Sequence, residues 1–414
     1  MTDIAGTVPV IAVDKVQAVA LAVCTYYFGV WLKGKVGVLS RYSIPSPVVG
    51  GMSFAIVVSF LEYFNIVKVQ IDSTLQTVLM LGFFTTIGLM ASLRVVKDGG
   101  RLLLGFLLAV TVLVFLQNGM GMAIAEAMGF DKHYGILAGS VSMMGGLGTA
   151  AAFGPYFEET YGITGGTAVA VTAATFGMVA ALLIGGPFGE WCIRRYQVKT
   201  PDEVQQPEPE LHLPDDMDTD ITEQHASAKP NFTNEIMRAV SVTALAMGLG
   251  TIVSNYLGHY ITLPAYIGAM IVATVIRNVG DFSGMYKVEG KGLNAVADIT
   301  LVLFVTMAIN NLKLHELVHL ALPLVVILAC QTILMLIYAW TVLFTAFGRS
   351  YDAVMLSVGG IGFSMGATAN GLANMQAISE KYGSSPRAWL IVSVVGAFLI
   401  DLINAVVITW FGTL

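Results

Sequence analysis

Charge is scarce in this chain. Only 12% of its 414 residues are Asp, Glu, Lys or Arg, about half the ~25% of an ordinary soluble domain. That scarcity excludes a large solvated surface. Cysteine is scarcer still. Cys24, Cys192 and Cys330 lie in or beside apolar runs and none forms a CxxC, which argues against a disulfide framework or a zinc site. They read as small apolar fillers. The histidines show no metal-ligand spacing: His133, His259, His315 and His319 fall near the ends of apolar runs, and His212 and His225 lie in a polar stretch. No GxxxxGK[ST] loop occurs, so direct ATP drive within the chain is unsupported. Serines beside glycine lack a His partner at the same depth, which argues against a serine hydrolase, and the chain is not read as an enzyme. Short alternating segments, the signature of a membrane β-barrel, are missing as well. The net charge of −6 sits largely in one polar loop, and no nucleic-acid partner is expected.

What fills the chain is apolar: 56% of residues, in long uninterrupted runs. About 20 such residues cross a hydrocarbon core of ~30 Å as a helix. Ten spans are predicted, at about 8–32, 46–62, 75–93, 102–128, 166–193, 236–258, 264–280, 293–312, 316–347 and 387–412. The first is too long for a signal-peptide core and has no A-x-A-like site after it, so it is read as a retained span. Two other stretches, about 134–158 and 352–380, carry Gly clusters among Ser, Thr and Asn. A lipid-facing helix is not built this way, whereas a re-entrant hairpin buried by protein is. Residues 197–234 hold TPDEVQQPEPELHLPDDMDTD, which is too polar to bury a core and reads as a flexible linker.

With the N-terminus placed outside, 17 of the 21 basic residues fall on inside connections, and only Lys15, Lys68, Lys132 and Lys313 stay outside. The positive-inside rule then puts both termini outside and the polar linker inside. The two halves also resemble each other. Lys132-His133-Tyr134 matches Arg349-Ser350-Tyr351, Ser140-Val141 matches Ser357-Val358, and Tyr161-Gly162 matches Tyr382-Gly383. Gln117 matches Gln331, and Pro45 matches Pro264. Each half, residues 1–196 and 235–414, holds five spans and one hairpin. Five is odd, so the second copy is inverted. The fold class read from this is an all-α integral membrane protein of two inverted-topology repeats, the architecture of secondary transporters.

A Gly-rich tip deep in a membrane leaves backbone N–H and C=O groups in need of partners. Amides at a half-helix N-terminus suit a carboxylate, and carbonyls at the opposite end suit a hard cation such as Na⁺. Gly145, Gly146, Gly148 and Thr149 form one tip; Gly362, Ser364, Gly366, Ala367, Thr368 and Asn370 form the other. Tight helix packing through small residues is the competing reading. Two such patches at matching repeat positions favour a binding site. Asp401 lies within the last span, with Asn404 one turn on, and intramembrane acids are costly and rarely idle. Asp298 and Glu126 lie nearer span ends and are read as wet. Gln117, Asn118 and Gln331 sit mid-helix and are candidates to line the hairpins.

These residues carry a resemblance. IPSPVVGG (44–51), LMLGFFTTIGL (79–89), DGGR (98–101), FLQNGMG (115–121) and LAGSVSMMGGLGTAAA (137–152) lie in the first half. ATFGMVAALLIGGP (174–187), ALPLVVILACQTI (321–333), GATANGLANMQAISEKYG (366–383) and VGAFLIDLINAVVI (395–408) complete the set. Together they are similar to the bacterial glutamate–sodium symporter (ESS) family, from about Arg41 to Trp410. The resemblance implies Na⁺-coupled uptake of L-glutamate across the bacterial cytoplasmic membrane, a homodimer, and an elevator motion of the part holding both hairpins. It places the family's tips on Gly145, Gly146, Gly148, Thr149 and on Gly366, Ala367, Thr368 and Asn374, and its last-helix acid on Asp401. The reading that follows has tip amides and the hydroxyls of Thr149, Ser364 and Thr368 holding the carboxylates, and Asp401 meeting the ammonium. Na⁺ is assigned to tip carbonyls with Thr149, Thr368, Asn370, Asn374 or Asn404. Leu147 stands where the family pattern has His, and Ala369-Asn370 where it has Pro-Thr. Another dicarboxylate or hydroxy acid, such as aspartate or citrate, is the alternative cargo. An ion channel with a hairpin filter is the reading from a different class.

Overall fold

The computed structural model describes residues 8–37, 39, 44–94, 100–201, 232–257, 265–284, 286, 290–313 and 320–414. Most of the predicted linker lies outside the described residues. So do Arg41, Lys97, His212, His225, Lys229, His259, Pro264, Lys287, His315 and His319.

The chain is an α-helical multi-pass membrane protein. Among the described residues, eight helices are long and apolar enough to cross a membrane. They are α1 (Lys15–Lys35), α2 (Ser46–Tyr63), α4 (Gly100–Ala127), α7 (Gly166–Tyr196), α8 (Phe232–Leu257), α10 (Lys291–Asn310), α11 (Ala321–Ala346) and α14 (Pro386–Gly412). Two more helices fall on the remaining predicted spans. Helix α3 (Thr74–Met90) is apolar but has only 17 residues. Helix α9 (Ala265–Ser283) carries Arg277 and Asp281, paired at 3.0 Å, within its length. Two broken helix pairs stand where hairpins are predicted. The first is α5 (Lys132–Ile136, running on as a π-helical stretch Leu137–Val141) with α6 (Gly146–Tyr161). The second is α12 (Tyr351–Ser364) with α13 (Thr368–Tyr382).

The first span begins later than predicted. Val10–Val13 is a strand, β1, paired in parallel with β2 (Lys68–Ile71), Val10 opposite Lys68. Both segments are rich in β-branched residues, which suits a pleated strand. Helix α1 then starts at a capping box: Asp14 accepts from the backbone N–H of Val16 (2.8 Å) and Gln17 (2.9 Å), and Gln17 Oε1 accepts from Asp14 N–H at 3.1 Å. Reciprocal capping of this kind fixes a helix start more firmly than hydropathy does.

The helices sort into two bundles. Helices α1–α3 pack with α8–α10, and α4–α7 pack with α11–α14. The pairings repeat when the halves are exchanged. Helix α1 meets α2 as α8 meets α9, α2 meets α10 as α9 meets α3, and α3 meets α10 at the centre. Small residues allow the close approaches: a Cβ on Gly50 would strike the Thr25 carbonyl, and one on Gly268 would lie 2.9 Å from the Gly250 carbonyl oxygen. Between the bundles the main contacts are α10 on α6 and α7, and α3 and α9 on α14. The first bundle is pinned at the end of α3. Asn278 donates to the Ala91 carbonyl and accepts from Leu93 N–H, each at 2.8 Å, while Ser92 donates to Asp281 at 2.5 Å.

Candidate functional site

Each broken pair turns where glycine allows it. In the first, Gly139 interrupts the π-helical stretch with φ −90° and ψ −130°. Gly146 then opens α6 at φ +59°, a conformation that disfavours side chains. In the second, Ser364 ends α12, and Ala367, fully extended, precedes α13. The two turns meet. A Cβ on Gly146 would lie 2.5 Å from the Gly366 carbonyl oxygen, closer than any real side chain comes, so glycine is what permits the contact.

The turns border a cavity of about 510 Å³ at the seam between the bundles. One wall is the pair of turns, residues 144–149 and 366–369, with Gly396 and Asp401 of α14. The other wall comes from α3 and α10, including Phe83, Thr86, Met90 and Leu301, and from Pro45 and Pro47. Helices α6 and α13 both begin at this cavity, and neither is capped by a side chain. The first-turn amides of a helix have no partner within it, and together with the dipole they make an N-terminus an anion-binding end. Two such ends converge here. Two carboxylates, Asp298 and Asp401, also line the cavity, and among the described residues no Lys, Arg or His does.

Helix α14 is irregular beside the site. Val395–Leu399 is π-helical, a form that frees carbonyls and recurs at functional sites. Thr368 Oγ1 donates to the Gly396 carbonyl at 2.5 Å, which ties the second turn to this stretch and leaves the hydroxyl oxygen able to accept.

The structure brings Gly145, Gly146, Gly148, Thr149, Gly366, Ala367, Thr368 and Asp401 together around the cavity. The other predicted residues point into the second bundle. Asn370 donates to the Met178 carbonyl at 2.9 Å and Asn374 to the Ala181 carbonyl at 3.0 Å, so both clamp α13 onto α7. Asn404 is fully buried and donates to the Ser140 carbonyl at 3.0 Å. Ser364 is fully buried behind the turn, and its carbonyl accepts from Gln117. Asp298 and the α3 wall are the parts that sequence reasoning passed over. The signal for α3 was the run LMLGFFTTIGL, which supplies Phe83 and Thr86. Leu147 and Ala369, two of the departures from the family pattern, both line the cavity.

Comparison with known proteins bears on the same region. The family model described as sodium/glutamate symporter matches residues 11–384. The curated sodium/glutamate symporter of Escherichia coli (strain K12) is 37% identical over 400 residues, covering 95% of this chain and 96% of the relative. That of Haemophilus influenzae is 34% identical over 395 residues, covering 94% and 95%. With both broken pairs and almost every cavity-lining residue inside the matched range, the chain belongs to the sodium/glutamate symporter family.

Proposed function

We propose that this protein is a secondary active transporter that carries L-glutamate across the bacterial cytoplasmic membrane in symport with Na⁺. The observation that carries the reading is the cavity's chemistry: two uncapped helix N-termini beside two aspartates, with no basic side chain among the described lining residues. The helix ends suit the substrate's carboxylates, and Asp401 suits its ammonium. Glutamate brings a net negative charge to a wall that already holds the Asp401 carboxylate, with Asp298 facing it across the cavity. Moving that sum through lipid unbalanced is prohibitive, so a co-bound cation is required. Thr149 and Thr368 offer hard oxygens at the cavity for it. Na⁺ is thereby a coupling ion, and no organic cofactor is needed.

The two-bundle arrangement supports an elevator motion. The substrate site sits on the second bundle, and the facing wall of α3 and α10 is mostly apolar, as a sliding surface needs to be. In this reading the broken pairs are re-entrant hairpins, and the halves, residues 1–196 and 235–414, are inverted about residues 197–234. Both termini lie outside, and the first bundle forms a homodimer. Its helix α8 turns Leu245, Leu249, Ile252 and Tyr256 outward, a face for lipid or a second copy. Leu147 and Ala369 at the cavity give one specific reason to test other dicarboxylates, and competition by amine-free citrate separates them, since only an amine pairs with Asp401. The test of the site is Asp401→Ala in proteoliposomes. Na⁺-driven glutamate uptake is lost while the protein still assembles; uptake at the wild-type rate would remove Asp401 from the mechanism.

A further inference from the structure

Behind the second turn lies a polar cluster that the substrate cavity does not use. It contains Gln117 of α4, Gln331 of α11 and Ser364 at the end of α12, at most 1% exposed. Gln331 Nε2 donates to the Gln117 carbonyl at 2.8 Å, and Gln117 Nε2 donates to the Ser364 carbonyl at 2.9 Å. These two bonds fix both amides. Each –NH₂ faces a main-chain carbonyl, so each side-chain oxygen must be the free end. Gln117 Oε1, Gln331 Oε1 and Ser364 Oγ are all buried without a hydrogen-bond partner among the described residues. Buried polar atoms are normally satisfied, and a concentration of unsatisfied ones calls for an absent partner such as an ion.

The three atoms share a chemistry. All are neutral oxygens, and none of them accepts from the Ser364 hydroxyl or from the remaining N–H of either side-chain amide. A further hydrogen-bond donor is therefore what the cluster lacks, or a cation. A cation is favoured by position. Ser364 is the last residue of α12, where helix carbonyls lose their intrahelical partners and the dipole is negative. No Asp, Glu, His or Cys cluster able to hold a transition metal occurs among the described residues. Neutral hard oxygens at a half-helix C-terminus suit an alkali cation. The glutamines are also repeat-related, Gln117 in FLQN and Gln331 in ACQT, so each half contributes one glutamine oxygen.

We infer that Gln117 Oε1, Gln331 Oε1 and Ser364 Oγ, completed by carbonyls at the end of α12, form a dehydrated Na⁺ site separate from the substrate cavity. The inference rests on the symport reading and gives it a coupling device. A cation here draws α12 onto α4 and α11 and sets the position of Gly366, which touches the opposite turn and lines the substrate cavity. Ion binding thus prepares the substrate site without touching the substrate.

Two measurements test it on the full-length protein. In detergent, NaCl raises the Tm of the wild type relative to equal choline chloride, and Gln331→Met and Ser364→Ala abolish most of that rise. A purely structural role would lower the baseline Tm of the variants and leave the Na⁺-induced rise intact, which overturns the inference. In proteoliposomes, the same variants raise the Na⁺ concentration for half-maximal glutamate uptake about tenfold, while KM for glutamate at saturating Na⁺ stays within about twofold. An unchanged Na⁺ half-saturation refutes the site. Ser364→Ala removes one atom, so it remains informative should Gln331→Met fail to assemble. A wild type that takes up glutamate without Na⁺ refutes the symport reading itself. A Na⁺-driven wild type with indifferent variants refutes only the site.

Discussion

Replacing Gly146 with alanine tests whether contact between the two turns matters for transport. Gly146 lies at φ +59°, where an L-residue costs about 1–2 kcal/mol. The added Cβ would also stand 2.5 Å from the Gly366 carbonyl oxygen, and real Cβ contacts essentially never fall below 3.0 Å. The turns must therefore part by roughly half an ångström or more, at the point where both helix N-termini face the cavity. Displacement by about 1 Å at a binding constellation is worth up to ~100-fold in rate. Gly162→Ala is the matched control. It has φ +68° and nothing within 4 Å of the added atom, so it carries the backbone penalty alone. Both variants are expected to lose about 1–2 kcal/mol of stability. Only Gly146→Ala should lower kcat/KM for Na⁺-driven glutamate uptake, by about 10–100-fold, in initial-rate assays normalised to reconstituted protein. Equal losses in the two variants would show that the contact between turns contributes nothing beyond backbone strain.

Other consequences are checked by separate measurements. Asn278→Ala removes two 2.8 Å bonds that hold the end of α3; the expected cost is about 1–3 kcal/mol, seen as a lower Tm with KM for glutamate unchanged. Lys381→Ala breaks an exposed pair with Glu190, and solvent screens such surface pairs, so Tm should barely move. Motion at the seam is tested with Gly148→Cys and Leu301→Cys in a background without Cys24, Cys192 and Cys330: a Cβ on Gly148 would lie 3.4 Å from Leu301 Cδ1. Mercury bridging of that pair should stop uptake, and a reducing thiol should restore it. Transport that continues through the bridge would rule out sliding of the bundles.

Eight of the ten predicted spans fall on helices long and apolar enough to cross a membrane; they were legible because about 20 apolar residues in a row have few other uses. The first one was misplaced at its start because hydropathy does not see a capping box, and Asp14 and Gln17 end the apolar run's ambiguity at Lys15. The turns were legible from clustered glycine, and Asp401 from its isolation in an apolar helix. Which neighbours share the cavity was less so. Thr368 faces the cavity, whereas Asn370 and Asn374, four residues apart on one side of α13, face α7. A sequence gives their chemistry but not the helix rotation that separates them. Asp298 was set aside as a wet residue near a span end. It is exposed, and it is exposed into the cavity. The wall of α3 and α10 was harder to read, because apart from Thr86 and Asp298 the residues it lends to the cavity are apolar.

Uptake of radiolabelled L-glutamate into proteoliposomes with Na⁺ imposed on one side tests the central claim most directly. The account predicts saturable accumulation against a glutamate gradient that collapses when K⁺ or choline replaces Na⁺, is competed by aspartate more strongly than by citrate, and is lost in Asp401→Ala. Uptake indifferent to the Na⁺ gradient, or unsaturable flux without accumulation, would contradict it.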